Sequence, residues 1–206
     1  MRAISIINLK GGVAKTTTTV NMAYLLAKKG YKVLLVDNDK QGNASKAFGL
    51  YDPEDHDNMA RVMLEGTALI DLAASTKYEN LDIVPANIII FDNAPDVNMS
   101  IINALVVSDD VIVPVEIDQY SFDGLDILLE QVAAVREDFN PELNFAGCLV
   151  TKYKNREDVQ AQGVEVLQSR CKVFNTKIRR TENKPKESTF AKIPLVEYSV
   201  RCGASQ

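Results

Sequence analysis

The segment from residue 3 to residue 29 constrains the fold more than any other part of the sequence. Ala3–Asn8 is a short, β-branched apolar run, typical of a buried parallel strand, and a pair of glycines follows it. Apolar residues then recur at helical spacing through Thr16–Lys29, and Gly30 is placed to end that helix. A strand, a glycine-rich turn and a helix in this order predict a unit whose turn binds phosphate.

Strands and helices continue to alternate along the chain. This alternation predicts an α/β fold with a mostly parallel, twisted sheet flanked by helices in three layers. Polar residues follow several strands, among them Asp37, Asp92 and Thr151, and they mark the edge at which such a sheet binds ligands. The further predicted strands are Lys32–Val36, Ile88–Phe91, Val111–Val115 and Phe145–Val150, and the further predicted helices are Phe122–Arg136 and Val159–Ser169.

One domain accounts for all 206 residues, but one connection within it is too short. Leu81–Pro85 resembles a strand, and Ile88–Phe91 follows it almost at once. Parallel neighbours need a crossover of about a dozen residues or more. Either the two segments form an antiparallel hairpin or, as we expect, a crossover segment is missing at Asn87/Ile88. No closing helix precedes Gln206, so we also expect a C-terminal helix to be missing.

The glycine-rich turn has the composition of a phosphate-binding loop. Backbone N–H groups at the start of a helix favour phosphate, and Gly11 and Gly12 are expected to let the backbone approach it closely. Lys15 is expected to reach the β- and γ-phosphates, the Thr16 hydroxyl to ligate Mg²⁺, and Thr17 to contact the α-phosphate. The predicted nucleotide-binding loop is Lys10, Gly11, Gly12, Val13, Ala14, Lys15, Thr16 and Thr17.

The loop departs from the strict P-loop pattern, which has glycine at the positions of Leu9 and Ala14. This chain instead has an additional lysine, Lys10, directly before the glycine pair. In this respect the segment resembles the deviant Walker A motif of the ParA/MinD family of ATPases, and most closely its ParA-type, Soj-like members. In that family the first lysine reaches the phosphates bound by the partner subunit, which implies that Lys10 acts in trans and supports catalysis together with Lys15.

Carboxylates follow two of the predicted strands. By the same resemblance, Asp39 orients the attacking water, while Asp37 and Asp92 lie beside the magnesium ion. The chain differs from the usual family pattern at Lys40 and Ala94, where proline is common, and Lys40 is expected to loosen the loop that carries Asp39. The predicted metal site therefore consists of Thr16, Asp37 and Asp92, and the predicted catalytic residues are Lys10, Lys15 and Asp39.

Weaker resemblances concern four positions later in the chain. Thr151 and Pro194 lie in segments similar to those beside the adenine in the family, so both are predicted to bind nucleotide. Asp118 and Asp123 resemble acidic positions near the dimer face. Ordinary loop positions remain the alternative interpretation for all four.

Charge is distributed unevenly along the chain. The net charge is −5, yet the segment from residue 170 to residue 192 carries eight basic side chains against Glu182 and Glu187. Such asymmetry indicates a polyanionic partner, although an exposed charged helix and loop is the alternative. The predicted DNA-binding residues are Arg170, Lys172, Arg179, Arg180, Lys184 and Lys186, with Lys177 and Lys192 in the same segment.

The resemblance implies an ATPase that uses ATP and Mg²⁺, forms a homodimer with ATP and hydrolyses it slowly. The basic segment favours a DNA partition ATPase that binds DNA non-specifically and is stimulated by a ParB-like, centromere-bound partner. No apolar run approaches the ~20 residues that span a bilayer, so we expect a cytoplasmic, nucleoid-associated protein without membrane partners.

Two other classes remain open. A MinD-like membrane-cycling regulator would need a terminal amphipathic helix, which the sequence does not show. An iron–sulfur carrier would need paired cysteine ligands, and a ligase of the same fold would need a second substrate pocket. The three cysteines, Cys148, Cys171 and Cys202, lie far apart in the sequence and lack the spacing of a zinc or redox site. We interpret them as reduced thiols.

Overall fold

The computed structural model describes residues 1–51, 74–81, 88–95, 99–118, 121–154 and 157–199. Their strands are β1 (Arg2–Ile6), β2 (Val33–Asn38), β3 (Ile88–Asn93), β4 (Asp110–Glu116), β5 (Asn144–Tyr153) and β6 (Val173–Arg179). Their helices are α1 (Lys15–Lys28), α2 (Asn43–Phe48), α3 (Met99–Val106), α4 (Ser121–Asp138), α5 (Asp158–Arg170), α6 (Lys184–Phe190) and α7 (Leu195–Tyr198).

The strands form one parallel sheet with the order β2-β3-β1-β4-β5-β6. From β1 the chain builds one half of the sheet through β2 and β3, and the other half through β4 to β6. The loop that follows β1 therefore lies where the strand order reverses, which is the usual position of a ligand site in such folds. This arrangement confirms the predicted parallel α/β architecture.

Helices cover both faces of the sheet because successive side chains of a buried strand point to opposite sides. Ile90 packs with Ala23 and Ala27 of α1, whereas the next residue, Phe91, packs with Ala104 of α3. Helices α4 and α5 contribute to a larger apolar cluster with α3, β4 and β5. Asp92 follows Phe91 and thus lies on the α1 face, where the phosphate loop begins its helix.

Strand β3 excludes the antiparallel hairpin considered for Ile88–Phe91. Its residues pair in parallel with β1 on one side and with β2 on the other. Each strand has only two hydrogen-bonding edges, so no edge of β3 remains for an antiparallel partner. Residues 82–87, which carry most of the predicted strand Leu81–Pro85, lie outside the described part of the chain.

The helix after the phosphate loop agrees with its prediction to within one residue. It ends at Lys28, and Gly30 adopts a φ of +90° two residues later, as expected for a glycine that ends a helix. Among the helices of the described segments, none has the length and hydropathy needed to cross a membrane.

The sequence offered two interpretations of the basic segment, a DNA-binding surface or an exposed charged helix and loop. The secondary structure of the segment differs from a helix and loop. It contains edge strand β6 followed by α6. The alternation of Val173 to Arg179 is irregular, because β6 is exposed at the sheet edge and buries few of its side chains. The sequence patterns also do not predict the short helices α2, α3 and α7.

Candidate functional site

The phosphate loop owes its shape to two residues with left-handed backbone. Gly12 has a φ of +76° and Ala14 a φ of +65°. Ala14 occupies the position at which the strict P-loop pattern has glycine, and its positive φ shows why glycine is favoured there. No described atom lies within 4 Å of a Cβ built on Gly11 or Gly12, so the loop is open on that side.

Two buried side chains brace this loop from below. Asn8 is 3% exposed, accepts a hydrogen bond from Lys10 N (2.8 Å) and donates to Pro114 O (2.7 Å). Thr151 is fully buried, and its hydroxyl donates to Val13 O (3.0 Å). Thr151 is predicted to bind nucleotide, and in the structure its hydroxyl supports the loop backbone. Asn8 is the last residue of the first predicted strand, and no motif in the sequence signals its contact with the loop.

The two lysines of the motif point to different places. Lys15 is 7% exposed, and its ammonium donates to Lys10 O (3.0 Å), so the charge lies within the loop. The Lys10 ammonium instead forms an ion pair with Asp118, which follows β4. Both partners of that pair remain about one third exposed. The side chain of Asp123, the other acidic residue predicted near the dimer face, lies outside the described part of the chain.

A cavity of about 500 Å³ opens above the loop. Residues from both ends of the chain line it, since Val196 N donates to Asn21 Oδ1 (2.9 Å) and holds α7 against α1. Most of the predicted phosphate-binding residues and Pro194 lie in this lining, whereas Lys10, Val13 and Thr151 do not. The lining includes Gly11, Gly12, Ala14, Lys15, Thr16, Thr17, Asn21, Asp39, Gln41, Asn43, Lys46, Pro185, Ser188, Thr189, Ile193, Pro194 and Leu195.

Asp92 lies buried beneath the start of α1. Thr19 Oγ1 donates to its Oδ1 (3.0 Å), while within the described residues its buried Oδ2 has no hydrogen-bond partner. Burial raises the pKa of Asp92 to about 7, and neighbouring Asp37 adds to the rise, although the Thr16 and Thr19 hydroxyls oppose it. Thr19 was not predicted, yet its spacing of three residues from Thr16 places both on one helix face.

Asp37 lies opposite Asp92 on the neighbouring strand, since the two are Cα partners in the β2–β3 ladder. Its Oδ2 accepts hydrogen bonds from the backbone N–H and the hydroxyl of Ser45, both at 2.8 Å, at the start of α2. Burial nevertheless raises the pKa of Asp37.

Two carboxylates side by side, one with an unsatisfied buried oxygen, repel each other and favour a hard cation between them. Thr16, Asp37 and Asp92 therefore fit Mg²⁺, which needs only one or two protein carboxylates when phosphates and water supply its other ligands. Among the described residues, no group of three or more His, Cys, Asp or Glu side chains is placed to hold a metal ion.

Asp39 lies in the cavity lining at the turn between β2 and α2. Its Oδ1 accepts a hydrogen bond from Gln41 N (2.9 Å), and its carbonyl accepts one from Gly42 N (2.8 Å). Gly42 has a φ of +61°, and a Cβ there would meet the ring of Tyr51 at 2.4 Å. The turn that presents Asp39 to the cavity therefore requires glycine at position 42.

The predicted DNA-binding residues separate into two groups along β6. Arg170 and Lys172 precede the strand. Arg179 and Arg180 lie at its C-terminal end, which is the end of the parallel strands where the cavity opens. The seven residues of β6 span about 20 Å. Arg170 pairs with Asp126 (3.0 Å), and Lys184 pairs with Glu187 (2.7 Å). Lys186, Arg179 and Arg180 are exposed.

Comparison with known proteins places this geometry in a family. The chain matches the AAA domain family over residues 1–88 and 87–145. It is 32% identical to the sporulation initiation inhibitor protein Soj of Bacillus subtilis, over 97% of this chain and 92% of Soj. It is 35% identical to the chromosome-partitioning ATPase Soj of Thermus thermophilus, over 93% of this chain and 86% of that protein.

Solved structures agree with the fold. Cobyrinic acid a,c-diamide synthase from Mycobacterium smegmatis, with a bound ATP analogue and magnesium, has a TM-score of 0.80 and 26% identity, over 93% of this chain and 91% of that one. The phosphate loop with its additional lysine, the carboxylates of β2 and β3, and relatives that match nearly the full length lead to one conclusion. The chain belongs to the ParA/MinD family of P-loop ATPases.

Proposed function

We propose that this protein partitions DNA as an ATP-switched dimer. The observation that supports the ATP-switched dimer is the divergence of the two lysines: Lys15 lies within the cavity loop, whereas Lys10 pairs with Asp118 at a partly exposed position. A lysine held there by a surface carboxylate is available to a second subunit that docks over the cavity. The partition function itself rests on the names of the Soj relatives and on the basic end of β6.

The chain's own residues divide the work of ATP hydrolysis. Lys15 and the N-terminal N–H groups of α1 hold the phosphates, and Asp39 orients the attacking water. Thr16, Asp37 and Asp92 would hold Mg²⁺, which neutralises phosphate charge when bound. Lys10 of the second subunit adds positive charge to the same phosphates, so the γ-phosphate stabilises the dimer and its loss releases it. Turnover is slow until a ParB-like partner completes the site.

Binding to DNA follows from the exposed basic side chains. Lysines and arginines on one surface displace counterions from DNA phosphates, which gives sequence-independent and salt-dependent affinity. In the dimer, two such surfaces act together and raise the effective affinity. The ATP dimer therefore binds DNA more tightly than the monomer, which would place the protein on the nucleoid.

The test uses the Asp39→Ala protein, in which we expect ATP to bind without turnover. Fluorescence anisotropy with non-specific duplex DNA is measured with ATP and Mg²⁺, with ADP and Mg²⁺, and with ATP and EDTA. Tight binding is expected only in the first condition. Equal DNA affinity in all three would contradict a nucleotide switch. ATP-dependent pelleting with liposomes instead of DNA would favour the MinD-like alternative. In the protein that retains Asp39, ATP turnover that requires a second substrate would favour a ligase.

The trans role of Lys10 is tested on the same background by sedimentation velocity in saturating ATP. Asp39→Ala is expected to form dimers, and adding Lys10→Ala is expected to return it to monomers. Lys154→Ala is the matched control, because Lys154 likewise pairs with a carboxylate of its own subunit (Glu157, 2.6 Å). Dimers that persist without Lys10 would show that the phosphate is not held from the partner.

We also infer that the single domain lacks a crossover segment at Asn87/Ile88. The family match falls into two parts that meet at these residues. The alignment with Bacillus subtilis Soj spans 234 positions, more than the 206 residues of this chain, so Soj has residues without a counterpart here. Inserting the corresponding Soj residues is expected to raise the melting temperature, and a decrease would count against the inference.

A further inference from the structure

Two cysteines that are distant in sequence meet next to β5. Cys148 lies within β5, and Cys171 follows the last residue of α5. Their sulfur atoms are 3.5 Å apart, across a separation of 23 residues. The sequence spacing of the cysteines does not signal this contact, because the parallel pairing of β5 with β6 brings the two residues together.

Backbone hydrogen bonds tie Cys148 to the turn after α5 and Cys171 to the last turn of α5. Cys148 N donates to Lys172 O (2.8 Å), and Cys171 N donates to Leu167 O (3.0 Å). Gly147 permits this close approach, because a Cβ at that position would lie 3.1 Å from Lys172 O. A disulfide has an S–S distance of about 2.05 Å, so the two sulfurs need to approach by only about 1.5 Å.

The two thiols lie in different surroundings. Cys148 is fully buried, whereas Cys171 is partly exposed beside the Arg170–Asp126 ion pair. The hydrogen bond between the thiols lowers the pKa of Cys171, and the same contact together with burial raises the pKa of Cys148. A partly exposed thiol with a lowered pKa, next to a buried second thiol, is the arrangement found in cysteine pairs that react with oxidants.

We propose that Cys148 and Cys171 are an oxidation site that hydroperoxides convert into a reversible intramolecular disulfide. The Cys171 thiolate attacks the terminal peroxide oxygen, the O–O bond breaks, and a sulfenic acid forms while the leaving oxygen takes up a proton. The Cys148 sulfur then attacks the Cys171 sulfur, the S–O bond breaks, and hydroxide leaves as water with the Cys148 proton. Two thiols and one hydrogen peroxide thus yield one disulfide and two waters.

The disulfide would link β6, the outermost of the described strands, to its neighbour β5 through Cys171, which lies just before β6. Strand β6 pairs only with β5 among the described strands, and its first residue, Val173, lies opposite Cys148. A covalent link at this point ties the end of α5 and the start of β6 to β5. Arg170 and Lys172 flank Cys171, so oxidation also fixes the backbone that carries these two charges. The oxidation itself requires neither ATP nor DNA.

The experiment uses the full chain with Cys202→Ser, so that only the described pair remains. The reduced protein is treated with hydrogen peroxide, alkylated under denaturing conditions and weighed by intact mass spectrometry. We expect both thiols to be lost, the mass to fall by two hydrogen atoms, and dithiothreitol to restore both. The melting temperature of the oxidised form is expected to rise by about 5 °C, because the link constrains the unfolded chain.

Single variants separate the roles of the two sulfurs. Cys148→Ser, or Cys148→Ala if the serine variant does not fold, is expected to stop at a sulfenic acid on Cys171 that dimedone traps. Cys171→Ser is expected to leave Cys148 reduced at the same peroxide concentration. The proposal is overturned if both thiols of the Cys202→Ser protein remain alkylatable, or if Cys171 proceeds to sulfinic acid while Cys148 is present.

Discussion

The phosphate loop and the basic edge strand both present positive charge near the same sheet, but they hold it in opposite ways. Lys15 is almost completely buried and bonds to the carbonyl of its own loop, whereas Arg179 and Arg180 are exposed at the end of β6. In a cavity the lysine lies close to the bound phosphate, and the low polarity of the surroundings strengthens their attraction. Exposed charges are instead screened by salt beyond about 10 Å at 0.1 M ionic strength. Nucleotide binding should therefore depend on single residues, and DNA binding on several residues together and on salt.

The largest expected effect is that of Lys15→Ala. Removing the ammonium eliminates its charge-assisted hydrogen bonds to phosphate, which should weaken ATP binding by about 100-fold. Isothermal titration calorimetry with ATP and Mg²⁺ measures the loss. Lys28→Ala, an exposed lysine at the other end of α1, serves as the control and should bind ATP normally. If the Lys15→Ala protein binds ATP with unchanged affinity, nucleotide binding does not depend on this single buried charge, and the proposed difference between the two regions is wrong.

A smaller effect is expected at the C-terminal end of β6, because several basic side chains contribute to DNA binding together. Arg179→Glu with Arg180→Glu should weaken DNA binding by about tenfold and reduce the slope of log affinity against log salt by about two. Fluorescence anisotropy of the ATP-bound form over a series of salt concentrations measures both.

The matched comparison is Arg170→Glu with Lys172→Glu, which changes the same charge at the other end of β6. A weak effect of this pair would locate the DNA-binding surface at the C-terminal end of β6, where the cavity also lies. Equal effects of the two pairs would indicate a surface that runs along the whole strand. If neither pair changes affinity or salt slope, the basic segment is not the DNA surface.

The smallest effect is expected from Ala14→Gly, which tests the backbone of the phosphate loop. Alanine at a φ of +65° is strained, and glycine should relieve this and stabilise the fold by about 1 kcal/mol. Urea unfolding measures the change. A comparable glycine substitution at Ala27, inside α1 with helical backbone, should instead destabilise. A loss of stability in Ala14→Gly would show that the positive φ does not strain Ala14 by more than glycine's extra conformational freedom in the unfolded chain costs.

Sequence reasoning succeeded where function depends on contiguous residues. The strand, loop and helix from residue 2 to residue 28 could be predicted because the glycine pair and the apolar periodicity lie within one segment. The strands that carry Asp37 and Asp92 were also found, since apolar runs that end in a carboxylate are local patterns. That these two strands, β2 and β3, are neighbours follows from the order of the strands in the sheet, which the sequence does not show.

The sequence by itself thus determined the α/β class and the residues of the phosphate loop, because backbone conformation and hydrophobic periodicity act over a few neighbouring residues. Only the tertiary structure decided that Lys10 pairs with Asp118, that Thr151 supports the loop from below, and that Cys148 meets Cys171. Each of these contacts joins residues that are at least 23 positions apart in the sequence. Such contacts arise from the packing of the sheet, and no local pattern of residues encodes their distance.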